Sequence, residues 1–243
     1  MRSLFFLLII TTIFGACKSK KIQVQPPDIY LYNTNAGGPQ ITIHFKKGKA
    51  HNHPLMAIWI EDMQGNFEQT LYVAESIGKG VFQHGDASSG KWMPGELRRP
   101  AALPVWSHRR GIQADDGLYL PTPEDPVPDA ITGPTPPQSF IIKSKLENPD
   151  LRQFLVFFEI NQTWDWNEFW TNNKYPDNQE YKTSAQPALV YKAIVVLNSG
   201  LKEYPMKLVG HSHYAGEDGR IYEDLSTFTT ALRIAEEIKV IVE

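Results

Sequence analysis

Residues 55–73, LMAIWIEDMQGNFEQTLYV, decide the fold class of this chain. An apolar run, 55–60, and a second strand-like segment, 67–73, flank a polar connection that contains Gly65. A short polar connection with a glycine between two strand-like runs is typical of a hairpin turn. The stretch therefore predicts an antiparallel β-hairpin.

Strand patterns continue on both sides of this hairpin. The run 154–160, FLVFFEI, is apolar except for Glu159, which is typical of a buried central strand. Further apolar or alternating segments are 41–45, 141–146, 189–197, 204–209 and 238–242. Short strands without long helical stretches between them predict a mainly β fold, an immunoglobulin-like β-sandwich.

One or two short helices are expected beside the strands. Trp166, Phe169 and Trp170 are spaced i, i+3 and i+4, which predicts one apolar face of a short helix. Residues 229–237 fit either a helix or a strand.

A proline-rich segment interrupts the strand pattern. Residues 94–137 hold ten of the 18 prolines, and the run 120–128 excludes a helix or a central strand. One interpretation is a disordered linker between two domains. The segment also holds Trp106 and Tyr119, and linkers usually lack such side chains. We therefore expect an ordered insertion, residues 84–138, over one end of the sandwich.

Composition excludes several classes of protein. The chain has 243 residues, of which 42% are hydrophobic and 21% charged, as in ordinary globular proteins. It is therefore neither intrinsically disordered nor a multi-pass membrane protein. Its formal charge is −3, from 24 basic and 27 acidic residues. A nucleic-acid partner is not expected, because nucleic-acid binders carry a net basic footprint.

The N-terminus has the anatomy of an export signal. Residues 1–16, MRSLFFLLIITTIFGA, place a basic residue before an apolar run that is too short to span a membrane. The next residue is Cys17, the single cysteine, and Phe-Gly-Ala-Cys resembles a bacterial lipobox. We predict a signal peptide (1–16), a lipidated Cys17 with a tether (17–27) and one sandwich domain (28–243). The alternative is a plain signal peptide with an incidental cysteine.

This N-terminus also predicts a location. A lipid on Cys17 attaches the chain to a membrane of the cell envelope, facing the periplasm. Lys18 follows the cysteine, as in bacterial lipoproteins that are sorted to the outer membrane, so we expect attachment to the outer membrane. A single thiol forms no intramolecular disulfide, so the core alone must stabilise the fold.

Several long motifs resemble a family of predicted periplasmic proteins, domain-of-unknown-function family 2271. The motifs are HPLMAIWIEDMQGNFEQTLYVAES (53–76), RRPAALPVWSHRRGIQADDGLYLPTPEDPVPDAITGPTP (98–136), WDWNEFWTNNKYP (164–176), QPALVY (186–191) and GHSHYAGEDGRIYEDLSTFTTALRIAEEI (210–238). The hairpin also resembles the immunoglobulin-like repeat of flagellar hook-capping proteins. The resemblance implies an envelope location and a sandwich, and it implies no catalytic residues.

Two His-x-His pairs suggest a metal site. They are His51 with His53 and His211 with His213, each at the end of a predicted strand. Residues i and i+2 of a strand face the same way, so each pair offers two imidazoles to one Zn²⁺ or Cu²⁺. His44, Glu217 and Asp218 are further candidate ligands of such a metal ion. The alternative is that these histidines are exposed or hydrogen-bonded residues at strand ends.

Arginines and aromatic residues in the insertion suggest an anion site. The candidate ligand-binding residues are Arg98, Arg109, Trp106 and His108, with Arg99, Arg110 and Trp92 beside them. Guanidinium groups pair with carboxylate or phosphate and stack on indole rings. The alternative is that Arg98 and Arg109 form ion pairs with Asp115, Asp116 or Glu96 and so fix the loop.

The segment 164–170 has three tryptophans in seven residues. They form either a platform for a sugar or a partner, or a small core under a loop.

We expect a non-catalytic envelope lipoprotein that binds an envelope protein or a small ligand and needs no cofactor. The alternatives are a periplasmic zinc- or copper-binding protein and an enzyme that acts on polysaccharide.

Overall fold

A computed structural model of the chain describes residues 26–80, 82, 93, 97–128 and 131–242. The predicted signal peptide, Cys17, His84, Trp92 and Glu96 lie outside the described residues. The strands are β1 (Asp28–Tyr32), β2 (Gln40–Lys47), β3 (Leu55–Glu61), β4 (Phe67–Ala74), β5 (Thr132–Gly133), β6 (Phe140–Lys145), β7 (Gln153–Asn161), β8 (Leu189–Val196), β9 (Glu203–Pro205), β10 (Lys207–His211) and β11 (Ala235–Val242). The helices are α1 (Glu75–Gly78), α2 (Pro104–Arg109) and α3 (Gln179–Ser184), with a 3₁₀ turn at Ala231–Arg233.

The strands form two sheets, which confirms the predicted mainly β sandwich. One sheet has the order β1-β6-β2-β11-β9 and the other β10-β8-β7-β3-β4-β5. The inward side chains of both sheets build one core, in which Phe45 of the first sheet stacks on Phe158 of the second with centroids 5.7 Å apart. The predicted hairpin is present, since β3 pairs antiparallel with β4.

Strand β3 is buried on both faces. Met56, Ile58 and Ile60 point into the core between the sheets. Ala57 and Trp59 point the other way, into a second apolar cluster. A strand covered on both sides requires apolar residues at successive positions, which explains the unbroken run that the sequence shows here.

The proline-rich insertion forms the cover of that outer face. Its residues Leu103, Val105, Trp106 and Leu120 pack against the outer side of the six-stranded sheet. The prediction that the insertion is ordered is therefore supported for residues 97–128, and its predicted position over one end of the sandwich is wrong. The outer face of β3 carries Ala57 and Trp59, and the insertion removes these apolar side chains from water.

The segment 204–209 departs from the predicted single strand. Tyr204 lies in β9 and pairs with β11, whereas Leu208 lies in β10 and pairs with β8. The chain therefore changes sheet at Met206, which lies between the two strands.

The helix predicted at residues 166–170 is wrong. The Asn167 side chain accepts the backbone N–H groups of Phe169 and Trp170, at 2.8 and 2.7 Å. An asparagine that bonds locally to the backbone competes with the helical hydrogen bonds. Residues 229–237 contain the 3₁₀ turn and the start of β11. Among the described residues, no helix has the length and apolar character required to cross a membrane.

Candidate functional site

Loops from several strands meet at one end of the six-stranded sheet. Leu55, which begins β3, pairs with Asn161, which ends β7. Strand β4 runs antiparallel to β3, so it ends on the same side, at Ala74. The residues before β3 and the residues after β4 and β7 are therefore neighbours in space, although they are far apart in sequence.

A cavity of about 310 Å³ lies among these loops. The β2–β3 loop, helix α1 and the segments after β5 and β7 contribute to its wall, together with Arg99 of the insertion. The described lining residues are Asn52, His53, Leu55, Ser76, Phe82, Arg99, Thr135, Thr163 and Trp164.

Arg99 is the charged residue of this cavity, and it is only 4% exposed. Its Nη1 donates to Thr163 Oγ1 at 3.4 Å, and its guanidinium carbon lies 4.0 Å from the centroid of the Phe82 ring. Burial lowers the pKa of Arg99 to about 10. The side chain therefore stays cationic at neutral pH.

The polar groups around Arg99 suit a ligand that accepts hydrogen bonds. Ser76, Thr135 and Thr163 bring hydroxyl groups, and Asn52 brings an amide. The described lining residues include no Asp or Glu. The cavity therefore combines a buried positive charge with hydrogen-bond donors. Two aromatic side chains, Phe82 and Trp164, also line it.

Two residues of the cavity wall hold a left-handed backbone. His53 has φ 52° and Trp164 has φ 62°. Such angles are unfavourable for residues with a Cβ, and they concentrate at ligand sites and turns. The Trp164 indole is fixed because Nε1 donates to the Lys182 carbonyl at 3.0 Å. The Trp164 ring also stacks on the Trp166 ring, with ring centroids 6.1 Å apart.

The two His-x-His pairs lie at this same end but do not meet. His211 is in register with Leu189 of β8, and β8 and β7 separate β10 from β3. Three strand spacings amount to about 14 Å, far beyond the reach of ligands of one metal ion. Among the described residues, no group of three or more His, Cys, Asp or Glu side chains is placed to hold a metal ion.

Each of these histidines has a local role. His51 packs on Phe45 with ring centroids 5.6 Å apart, and burial lowers its pKa to about 4. His53 lines the cavity, with Nδ1 3.2 Å from Asn52 Oδ1. His211 packs against Phe228 at 4.9 Å, and burial lowers its pKa. His213 accepts the backbone N–H groups of Ala215 and Glu217 on Nδ1.

The residues predicted for an anion site in the insertion are dispersed. Trp106 is fully buried, so its ring has no surface for a ligand, and Nε1 donates to Thr70 Oγ1 at 3.0 Å. Arg98 pairs with Asp116, one of the ion pairs weighed from the sequence. Arg109 lies 3.4 Å from the Glu61 carboxylate.

His108 and Arg98 line two separate cavities formed largely by the insertion. His108 stacks on Tyr119, with centroids 4.4 Å apart, in a cavity of about 240 Å³. Arg98 and Arg110 line a cavity of about 560 Å³ together with four carboxylates. Those carboxylates are Asp115, Asp116, Glu124 and Asp125. Charges of both signs therefore line the larger cavity.

The tryptophan motif is divided between packing and surface. Trp170 is 5% exposed and belongs to the main core. Trp166 is 52% and Phe169 44% exposed. The packing interpretation therefore holds for Trp170, and a platform at the exposed rings stays a prediction.

Arg99 carries the candidate site, although the sequence indicated its neighbours Arg98 and Arg109. A signal was present, because only Pro100 separates Arg99 from the apolar run of Ala101, Ala102 and Leu103. The hydroxyl groups that join it come from other strands and carry no recognisable motif.

Comparison with known proteins adds no relative. No protein-family model, no curated protein and no solved structure matches the chain. The resemblance to family 2271 and to the hook-capping repeat therefore stays a prediction.

Proposed function

We propose that this chain is a binding protein of the cell envelope that holds a small anionic ligand beside Arg99. The observation that carries the proposal is the buried guanidinium in the wall of a cavity bordered by hydroxyl groups and aromatic rings. A guanidinium presents a planar fork of donors that matches carboxylate or phosphate.

The size of the cavity limits the ligand. A volume of about 310 Å³ is at the lower end of the range for small-molecule sites. The flanking Phe82 and Trp164 side chains favour a ring-shaped ligand over an extended one. A monosaccharide or small organic ring that carries a carboxylate or a phosphate fits this description.

Calorimetric titration with D-glucuronate, D-glucose and inorganic phosphate tests the proposal. Glucuronate differs from glucose by the carboxylate that Arg99 would bind. We expect glucuronate or phosphate to bind and glucose to bind at least about tenfold more weakly, because a charge-assisted hydrogen bond contributes more than a neutral one. Equal binding of glucose and glucuronate, or no binding of either anion, would contradict the proposal.

Variants locate the site. Arg99→Met removes the charge and keeps a long side chain, and Thr163→Val removes the hydroxyl that accepts from Arg99. The matched control is Arg98→Met, because Arg98 is the adjacent arginine and lines a different cavity. Anion binding should be lost in Arg99→Met, weakened in Thr163→Val and retained in Arg98→Met. Circular dichroism shows whether each variant is folded.

We propose the envelope location from the N-terminal sequence alone. A short apolar segment followed by Phe-Gly-Ala-Cys supports lipidation of Cys17. Cys17→Ser should move the protein from the membrane fraction to the soluble fraction and remove incorporation of labelled palmitate. Unchanged labelling and partitioning would contradict the lipid anchor.

A further inference from the structure

The proline-rich insertion encloses the cavity of about 560 Å³, which shares no described lining residue with the cavity at Arg99. Two turns form much of its wall. One turn closes where the Ala114 N–H donates to the Leu118 carbonyl at 2.8 Å. The other closes where Thr122 and Asp125 exchange backbone hydrogen bonds at 3.4 and 3.1 Å. Because its own backbone holds the wall in place, a ligand meets a pre-formed site.

Arg98 connects the first turn to the residues that lead into the second. Its Nη1 pairs with Asp116, and its Nη2 donates to the Leu120 carbonyl at 3.0 Å. The charge of Arg98 is therefore balanced within the wall. Arg98 thus holds the wall together, and the second arginine of the cavity is the one that can bind a ligand.

Arg110 is this second arginine. Its guanidinium carbon lies 5.0 Å from the centroid of the buried Trp106 ring, which fixes its position. Its Nη1 is buried and has no hydrogen-bond partner among the described residues. Burial lowers the pKa of Arg110, and the negative charge of Asp125 raises it. A buried donor without an acceptor is unfavourable, and a ligand carboxylate on Arg110 removes that penalty.

The cavity has more negative than positive groups. Of its four carboxylates, Asp116 balances Arg98, and Asp125 lies near Arg110. The other two, Asp115 and Glu124, are exposed, and neither forms an ion pair with a described residue. Two arginines and four carboxylates give the described wall a formal charge of −2. This excess attracts positively charged groups of a ligand.

The wall also offers an apolar surface. Ile112 is 51% exposed, and Leu120, Pro121 and Pro123 line the cavity with it. Apolar side chains in a charged cavity favour a ligand that has a methylene chain beside its charged groups. The cavity thus has partners for a carboxylate, for an alkyl chain and for ammonium groups.

We propose that this cavity is a second ligand site and that it binds a basic amino acid. The ligand carboxylate lies on Arg110, its methylene chain lies along Ile112, and its ammonium groups face Asp115 and Glu124. A basic amino acid has a net positive charge, which matches the excess of carboxylates. The volume of about 560 Å³ is within the range of small-molecule sites. The proposal is independent of the anion site at Arg99 and of the lipid anchor.

Calorimetric titration with three compounds of similar length tests the proposal. They are L-lysine, L-norleucine, which lacks the terminal ammonium, and cadaverine, which lacks the carboxylate. We expect lysine to bind and the other two to bind at least about tenfold more weakly, because each loses a charge-assisted interaction. Lysine binding that is no tighter than that of norleucine or cadaverine would contradict the proposal.

Variants assign the two ends of the ligand. Arg110→Met should reduce lysine binding to the level of cadaverine and leave cadaverine binding unchanged. Asp115→Asn with Glu124→Gln should weaken the binding of lysine and cadaverine about tenfold or more and leave norleucine binding unchanged. Circular dichroism verifies folding. Since both carboxyls are exposed, this second variant decides the matter if Arg110→Met does not fold.

Matched controls carry the same substitutions elsewhere in the chain. Arg152, Asp150 and Glu168 are exposed and do not line the cavity. Arg152→Met, and Asp150→Asn with Glu168→Gln, change the net charge by the same amounts and should bind lysine as the wild type does. D-Glucuronate is titrated in parallel, so the two proposed sites are judged on separate ligands.

Three further outcomes would overturn the proposal. They are the absence of lysine binding at millimolar concentration, unchanged lysine binding in Asp115→Asn with Glu124→Gln, and an equal loss of lysine binding in the control variants.

Discussion

Glu159 of β7 accepts the backbone N–H of Trp106 at 2.8 Å and so holds the first turn of α2 against the six-stranded sheet. Its other carboxylate oxygen accepts the N–H of Val105 at 3.1 Å. The first N–H groups of a helix have no partner within the helix, and a carboxylate satisfies them. Because Glu159 is fully buried, this one side chain joins the insertion to the sandwich.

The Glu159 carboxyl should make stability depend on pH. Burial raises its pKa to about 8, although the two backbone hydrogen bonds act in the opposite direction. The unfolded chain loses this proton near its ordinary pKa of about 4.5, whereas the folded chain keeps it until about pH 8. The free energy of unfolding therefore falls as pH rises between these values, by at most about 1.4 kcal/mol per pH unit.

Glu159→Gln tests this dependence, because glutamine does not titrate. Urea unfolding between pH 7 and 8 isolates the effect, since the lowered pKa values of His51 and His211 place their titration at lower pH. We expect the decline of wild-type stability to disappear in the variant and to persist in Glu124→Gln, an exposed carboxyl of the insertion. A decline of the same slope in Glu159→Gln would show that this carboxyl is not responsible.

Trp106→Ala should destabilise the protein by about 3–5 kcal/mol, the usual cost of removing a large buried aromatic side chain. Trp106 is fully buried between the insertion and the outer face of the sheet. Trp166→Ala is the matched control, because Trp166 is 52% exposed. We expect that variant to lose about 1 kcal/mol or less. Chemical denaturation gives both values, and similar losses would contradict the assignment of Trp106 as the anchor of the insertion.

Gly216→Ala should weaken the contact between the insertion and the loop after β10. Gly216 has φ 75°, and a Cβ there would lie 2.2 Å from the Pro100 carbonyl oxygen. Gly111 has a similar φ of 69°, and a Cβ at that position would meet no atom within 4 Å among the described residues. Both substitutions carry the cost of the left-handed backbone, about 1–2 kcal/mol. Gly216→Ala carries roughly 1–3 kcal/mol more for the clash. Thermal unfolding of the two variants measures the difference, and equal melting temperatures would mean that the chain relaxes around residue 216.

Zinc should not stabilise the protein through the four histidines. Strand β10, which ends at His211, and strand β3, which follows His53, are three strand spacings apart, about 14 Å. A ligand that binds the native state alone would raise the melting temperature by mass action. We expect no such rise when Zn²⁺ or Cu²⁺ is added. A rise that is lost in the His53→Ala, His213→Ala variant would show that the pairs do converge on a metal ion.

The strands were predictable because burial on both faces leaves a direct trace in the sequence. The run 55–60 is apolar throughout, the run 154–160 is apolar except for Glu159, and both are central strands of the six-stranded sheet. Strand β1, Asp28–Tyr32, was missed because it is short and carries Ile29 and Leu31 on its exposed face, so it shows no alternation of apolar and polar residues. Its partner β6 begins at Phe140, and local patterns do not reveal pairing over such a separation.

The candidate site was only partly predictable. The arginine cluster was visible, but which arginine enters a cavity depends on where Pro100 and the residues after it meet the sheet.

The predicted helix at residues 166–170 does not form, because the Asn167 side chain accepts hydrogen bonds from two backbone N–H groups. A helical spacing of aromatic residues does not report this competition.

By itself, the sequence determined the class of fold and the position of most strands, and it predicts an export signal at the N-terminus. Each of these depends on neighbouring residues, because a strand face or an apolar signal segment is a local pattern. Tertiary structure alone decided that the insertion covers a sheet face, that Arg99 lines a cavity and that the histidine pairs stay apart. These outcomes depend on the order of strands in the sheet, and residues distant in the chain set that order through packing.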